Sequence, residues 1–423
     1  MNARKVPEAD WALADRLFAD LHALSFDGVG ITRDSYGPGE QRAHQLFRRC
    51  AEEAGLLVSV DAALNLYMTL PGAIRNTGVV MTGSHLDSVP RGGNYDGAAG
   101  VVAGLAVLSG WRRAGHQPRH DVTVMAVRAE ESAWFPVSYV GSKAAFGLLP
   151  PEALDARRAD SGRTLGEHLR ECGGDPEAVA GGTAALLPAR VDSFIEVHIE
   201  QGPVLIEAGV PLGIVSGICG SLRYRKARAT GCYAHSGATP RTHRRDAVVA
   251  VSRLVIAMQA IWADLERAGH ELTVTVGQFW TDPVQADFSK VAGEVNFCID
   301  LRSRKPSTLA LMDEHLQAAL GEISTQSGVS FELGERIGST AGVMSAELVD
   351  LLGEAAGEAG VQTLSMPSGA GHDAALFAGQ GIDTAMLFIR NANGSHNPDE
   401  AMDMQDFRSA VQVLGVALAK RAG

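Results

Sequence analysis

Seven residues of types that can bind metal ions or move protons stand beside short apolar runs of this chain. His85 and Asp87 follow residues 78–82, and Asp96 opens the helical pattern of 97–114. Glu130 and Glu131 follow 122–128, His198 closes 193–198, and His396 comes after 384–389. The runs read as strands of an α/β sheet, whose ligands bind in the crevice beyond the strands' carboxyl ends. Five segments far apart in sequence therefore deliver two Asp, a Glu pair and three imidazoles to one edge. His, Asp and Glu without Cys suit Zn²⁺, Mn²⁺, Co²⁺ or Ni²⁺. A bridging carboxylate can hold two such ions about 3.5–4 Å apart, a spacing suited to hydrolysis. Asp87, two residues past His85, is placed to accept the imidazole's second N–H. Adjacent residues of an extended segment point to opposite sides, so Glu130 and Glu131 divide the work. One can coordinate while the other faces a water as general base. The apolar stretches VTVMAV before them and AWFPV after them are an unusual place for two unpaired carboxylates.

The elements that must position these groups alternate. Helical spacing covers 10–24, 40–54 and 97–114, and strand patterns cover 56–60, 64–70, 78–82 and 122–128. That alternation predicts βαβ units and a central, mainly parallel sheet in a large α/β domain. Residues 150–190 are polar, with one helical stretch near 165–172, and read as a surface insertion, after which strand character returns at 193–198. From 212 to 331 the rhythm changes to strands at 219–231, 272–278, 294–301 and 329–333 with helices at 245–267 and 307–325. This is a compact α+β unit of its own. The βα pattern then resumes, so the small domain interrupts the large one, giving 1–211, 212–331 and 332–423. A glycine string at 369–374, GAGHDA, fits the dinucleotide-binding pattern, but its acidic partner is misplaced. Asp383 follows Gly369 by 14 residues, where about 20 is expected.

Composition narrows the function. A chain of 423 residues with a formal net charge of −12 is expected to have two domains and no nucleic-acid partner. No uninterrupted apolar run reaches the roughly 18 residues of a bilayer span, so no membrane partner is expected. The start lacks a secretory apolar region. Five scattered cysteines with no CxxC pair read as reduced thiols of a cytoplasmic protein.

The strings GSHLDSV, GNYDGAAGV, AEE, HIEQGPVL, AHSGATP, SGAGHDA and SHNPDE resemble the dinuclear-metal amidohydrolases related to aminoacylases. They are most similar to the branch of N-carbamoyl-L-amino-acid hydrolases, β-ureidopropionases and allantoate amidohydrolases. The resemblance spans nearly the whole chain, with the motifs in family order. It implies a large catalytic domain and a smaller lid and dimerisation domain in a homodimer. It further implies two divalent ions per subunit (Mn, Zn, Co or Ni). His85, Asp96 and His198 would hold one, and Asp96, Glu131 and His396 the other. Asp96 would bridge and Glu130 would act as general base. His198 is the telling ligand, because peptidase and aminoacylase relatives usually offer a carboxylate there. The same matching makes His235 the lid histidine on the scissile carbonyl oxygen, and Gln201, Gly369 and Arg302 substrate contacts, Arg302 for the substrate carboxylate. The family's bridging aspartates sit beside a cis peptide, expected here at Asp96-Gly97.

Some positions depart from the pattern: Ser289 where the branch usually has Asn, a longer loop at 281–292, Trp134 before Phe135, and Arg390-Asn391 before SHNPDE. Ser289 is retained as a substrate position, but the exact substrate does not carry over. The expected substrate is a carbamoyl, ureido or other amide-bearing carboxylic acid. An N-acyl amino acid or dipeptide hydrolase is the alternative. A non-catalytic binding protein and a nicotinamide oxidoreductase are more remote.

Overall fold

The computed structural model describes residues 6–75 and 77–423. The chain divides into a larger unit, Met1–Ser216 with Val343–Ser368 and His372–Gly423, and a smaller one, Gly217–Gly342 with Gly369–Gly371. The expected boundary at 212 falls at the start of the strand Leu212–Ile218, which pairs antiparallel with Asp383–Ile389 in the larger unit's sheet. At the other end, Arg336–Ser339 still pairs with the smaller sheet.

The larger unit is built on eight strands. Its centre is parallel: Val122–Val127, Val79–His85, Val191–Ile199 and Asp383–Ile389 lie in that order, with antiparallel strands at the flanks. Strand alternation decides what faces where. Ile195, Val197 and Ile199 enter the main hydrophobic cluster, which they share with helices Trp11–Ser25, Pro38–Glu53, Ala98–Arg113, Ala346–Ala359 and Met404–Arg421. Phe194, Glu196 and His198 therefore point to the opposite face, where Phe194 stacks on Phe377 at 3.8 Å. Helix Ala98–Arg113 is apolar nearly all round and buried almost throughout. A side chain at its Gly100 would come within 2.1 Å of the Val197 carbonyl, so glycine permits the close approach of helix to sheet.

The stretch read as a surface insertion has a core of its own. Leu165, Leu169 and Val179 pack with Tyr36, Trp134 and Phe135, and Thr164 with Glu167 closes a capping box on helix Leu165–Glu171.

The smaller unit is a six-stranded antiparallel sheet carrying helices Ala247–Arg267 and Pro306–Ser327. Along Glu294–Ser303 every second residue is buried, the signature of a sheet with one covered face. Helix Ala247–Arg267 is long and apolar enough to cross a membrane by length and composition alone, a departure from the expectation. The count of uninterrupted residues stops at Ser252-Arg253, whereas the helix as a whole passes. Ala250, Val251, Leu254 and Met258 on this helix pack into the small unit's core.

Candidate metal centre

The four parallel strands end side by side, and the ligands cluster there. Val79–His85 ends on His85, Val191–Ile199 carries His198 at its penultimate position, and Asp96 stands two residues before helix Ala98–Arg113. Glu131 and His396 sit on loops after Val122–Val127 and Asp383–Ile389. The His85 Nδ1 lies 3.1 Å from the Asp87 carbonyl oxygen and 3.3 Å from its carboxylate. The His198 Nδ1 lies 2.8 Å from the Ile199 carbonyl oxygen. In the neutral rings that a metal would bind, both Nδ1 atoms therefore carry the hydrogen and both Nε2 atoms present lone pairs. Consistent with this, the Gly97 N–H donates to His198 Nε2 at 3.2 Å.

The two Nε2 atoms are 3.4 Å apart and lie 3.6 and 3.1 Å from Asp96 Oδ1. On the other side, His396 Nε2 is 3.2 Å from Asp96 Oδ2 and 3.1 Å from Glu131 Oε1. Two three-residue ligand groups result, His85–Asp96–His198 and Asp96–Glu131–His396, and Asp96 gives one oxygen to each. Its Oδ1 is buried and accepts no hydrogen bond. An orphaned carboxylate oxygen facing two imidazole lone pairs is a donor set that a divalent cation completes.

The charges agree. Burial works against protonation of His85, but the Asp87 and Asp96 carboxylates outweigh it and hold its pKa well above the ordinary value. His396 is pushed up to about 11 by its bonds to Asp96 and Glu131, against burial. Burial would raise the Asp96 carboxyl, yet the three imidazoles hold it well below the carboxylate range. The pocket's surplus of negative charge draws positive charge onto its imidazoles, which is what a site shaped for cations does without them.

The cis bond expected at Asp96-Gly97 is not there: no peptide among the described residues is cis. The turn is made instead by Gly97 at φ +65, where an added Cβ would lie 2.5 Å from the His85 ring. Glycine's access to the left-handed region does the work assigned to the isomer.

Glu130 stands beside these groups without joining either. Burial, followed by the charges of Glu131, Asp373 and Asp87, raises its pKa well above the usual value, with His85 opposing. A carboxylate so placed holds a proton more tightly than an exposed one, the direction that general-base work requires. Asp87 does more than steady His85, since its two oxygens also accept the N–H groups of Glu130 and Glu131 at 3.1 and 3.2 Å.

Of the substrate positions, only Gln201 lies in the larger unit. It donates to Asp96 Oδ2 at 3.0 Å, and its own Oε1 is buried without a partner. The other four belong to the smaller unit. His235 pairs across a two-stranded ladder with Lys290, next to Ser289. Its Nδ1 accepts the N–H groups of Gly237 and Ala238 at 3.2 and 3.1 Å, so the neutral ring carries its hydrogen on Nε2 as an exposed donor. The Ser289 hydroxyl is spent on Asp287 at 2.8 Å. Arg302 donates to Asp300 through Nε and Nη2 and to the Gly369 carbonyl oxygen through Nη1. That uses three of its five N–H groups and leaves two.

Two departures from the family pattern turn out to be structural. Trp134 is buried, donates to the Ser88 carbonyl oxygen at 2.8 Å and lies under the Arg158 guanidinium. Arg390 forks onto Asp406. The GAGHDA string offers no open phosphate cradle, because the Ala374 N–H there donates to Glu196 Oε2 and His372 packs against His198. Sequence reasoning missed Ser395 and Glu400, although both lie in the SHNPDE string. The Ser395 Oγ is 2.6 Å from both Asp96 Oδ2 and Glu400 Oε2, while Glu400 Oε1 accepts the Tyr95 and Asp96 N–H groups.

The chain matches the model of peptidase family M20/M25/M40 over residues 81–420, and it belongs to that family. It is 36% identical over 386 residues to the N-carbamoyl-L-amino acid amidohydrolase of Geobacillus stearothermophilus, covering 91% of this chain and 92% of that one. It is 32% identical to the allantoate amidohydrolase of Escherichia coli K12, covering 93% of each. Among solved structures, a hydantoinase/carbamoylase family amidase from Burkholderia ambifaria superposes with a TM-score of 0.85 at 32% identity, covering 99% of each chain. The chain is accordingly a hydrolase of the amidohydrolase type, acting on C–N bonds outside peptides.

Proposed function

We propose that the chain hydrolyses the C–N amide bond of an N-carbamoyl amino acid or a related ureido acid with two divalent cations (Mn, Zn, Co or Ni). The observation that carries this reading is the division of Asp96 between two ligand groups, with Glu130 beside them. His85 and His198 would hold one ion, Glu131 and His396 the other, and Asp96 would bridge. Such ions, when bound, polarise a carbonyl and acidify water. Glu130 takes the proton of the attacking water and passes it to the leaving amine nitrogen. Asp87 keeps the His85 tautomer and fixes the backbone on which Glu130 stands. His235 donates its Nε2 hydrogen to the carbonyl oxygen as charge develops there. Arg302 directs its two remaining N–H groups to the substrate carboxylate, and Gln201, Ser289 and Gly369 are the further substrate contacts proposed. The subunit works as a homodimer. Its five free thiols fit a reducing, cytoplasmic setting.

A screen of carbamoyl amino acids, ureidopropionate, allantoate and ureidoglycolate with each of the four metals tests this, read as ammonia released. Turnover with ammonia is expected. Hydrolysis of N-acyl amino acids or dipeptides alone, with free acid and no ammonia, would replace this reading by the alternative.

A further inference from the structure

The turn after Val122–Val127 carries both the proposed base and a proposed ligand, and it is held from outside the ligand groups. Ala129 adopts φ +48, a left-handed conformation unfavourable for a residue with a Cβ. Its N–H donates to Glu40 Oε1 at 2.8 Å, and the next two N–H groups go to Asp87. Three successive amides thus end on two buried carboxylates. On the carbonyl side, the N–H groups of Val140 and Tyr139 donate to Ala129 and Glu130, each at 3.0 Å.

Glu40 sits on helix Pro38–Glu53 and is fully buried. Its Oε2 accepts from the Tyr36 N–H at 2.6 Å and from Arg128 Nη1 at 3.1 Å. Arg128, itself buried, donates to Gln41 Oε1 and the Leu64 carbonyl oxygen, and its N–H goes to Asn65 Oδ1. The hydrogen-bonding groups that reach Glu40 are all donors, so both of its oxygens act as acceptors. Its hydrogen bonds reach Ala129, Tyr36 and Arg128 and none of the five candidate ligands.

We infer that Glu40 is a positioning residue for Glu130, acting through the Ala129 peptide that it holds in the left-handed turn. The inference rests on Glu130 being the base. Releasing that peptide lets the Glu130 carboxylate swing, and a displacement of about 1 Å can cost about a hundredfold in rate.

Two variants test it beside Glu130→Gln. Glu40→Asp keeps the charge facing Arg128 but withdraws the carboxylate by one methylene. Glu40→Gln keeps its one oxygen for the two donors Tyr36 and Arg128 and so sets its amide N–H₂ against the Ala129 N–H. Both are expected to keep full metal content by elemental analysis and KM within about threefold, while kcat falls about 30–100-fold. Adding Ala129→Gly to Glu40→Asp should restore about fivefold or more, because glycine adopts the turn unaided; a merely structural role would show no such rescue. A folded Glu40→Asp enzyme with kcat within threefold of the parent overturns the inference. So does a kcat loss that tracks metal loss, or failure of Glu40→Asp to fold. Turnover by metal-loaded Glu130→Gln would instead remove the base assignment, a separate failure.

Discussion

At the scale of single residues, backbone partners decide which nitrogen of a neutral imidazole carries the hydrogen. His235 illustrates this, since two backbone N–H groups settle its tautomer and leave one donor outward. His235→Ala should lower kcat about 100–1000-fold, the cost of one lost oxyanion donor, with metal content unchanged by elemental analysis. Asp373 shows the expense of burying charge. Its Oδ1 accepts from Ser142 at 2.6 Å, its Oδ2 has no partner, and burial with the nearby Glu196 pushes its pKa up to about 7. With the folded value above the unfolded 3.8, the stability Asp373 contributes is full below pH 4 and is lost as pH rises to 7. Asp373→Asn removes that dependence, so its stability should gain on the parent across this window, by about 2–4 kcal/mol at pH 8. Urea unfolding at pH 4, 6 and 8 measures it; a difference constant with pH would contradict the assignment.

At the scale of elements, the ligands were legible because four of them follow or close short apolar runs and Asp96 opens a helical one. The four parallel strands carry the strongest patterns in the chain, and they are also what assembles the site. Leu212–Ile218 was read with the wrong unit because an apolar strand pattern does not name its partner. The capped helix Leu165–Glu171 lay in a polar stretch, so its buried side was easily overlooked. Glu40 and Arg128 were invisible as a pair, since nothing local in either segment announces a contact across 88 positions. The loop between the strand Val79–His85 and helix Ala98–Arg113 was placed correctly in sequence but with the wrong backbone device. Gly97→Ala tests the device found: it opposes φ +65 and drives a methyl into the His85 ring. Metal affinity should fall about 10–100-fold by calorimetric titration, and an unchanged affinity would show that the close fit does not matter.

At the scale of the whole molecule, five segments spread from residue 85 to residue 396 converge on the two ligand groups. Cations bound there cross-link the larger unit in the folded state only. Chelation should therefore lower the unfolding temperature, and restoring Mn²⁺ at about a thousandfold excess over its Kd should return about 4 kcal/mol of stability for each site filled. In Asp96→Ala, which lacks the shared oxygens, added Mn²⁺ should return much less. An equal response in parent and variant, followed by calorimetry, would place the stabilising ion elsewhere. The acidic balance of the chain, −12 overall, gives no hint of the anionic substrate proposed above, which local positive charges would have to meet.

The central claim is met most directly by one variant assayed in two ways. Glu130→Gln, loaded with Mn²⁺, should bind two ions per chain by elemental analysis and release ammonia from an N-carbamoyl amino acid at least about a thousandfold more slowly than the parent. Two bound ions with turnover near the parent's would contradict the account, as would one ion or none in a fully active parent.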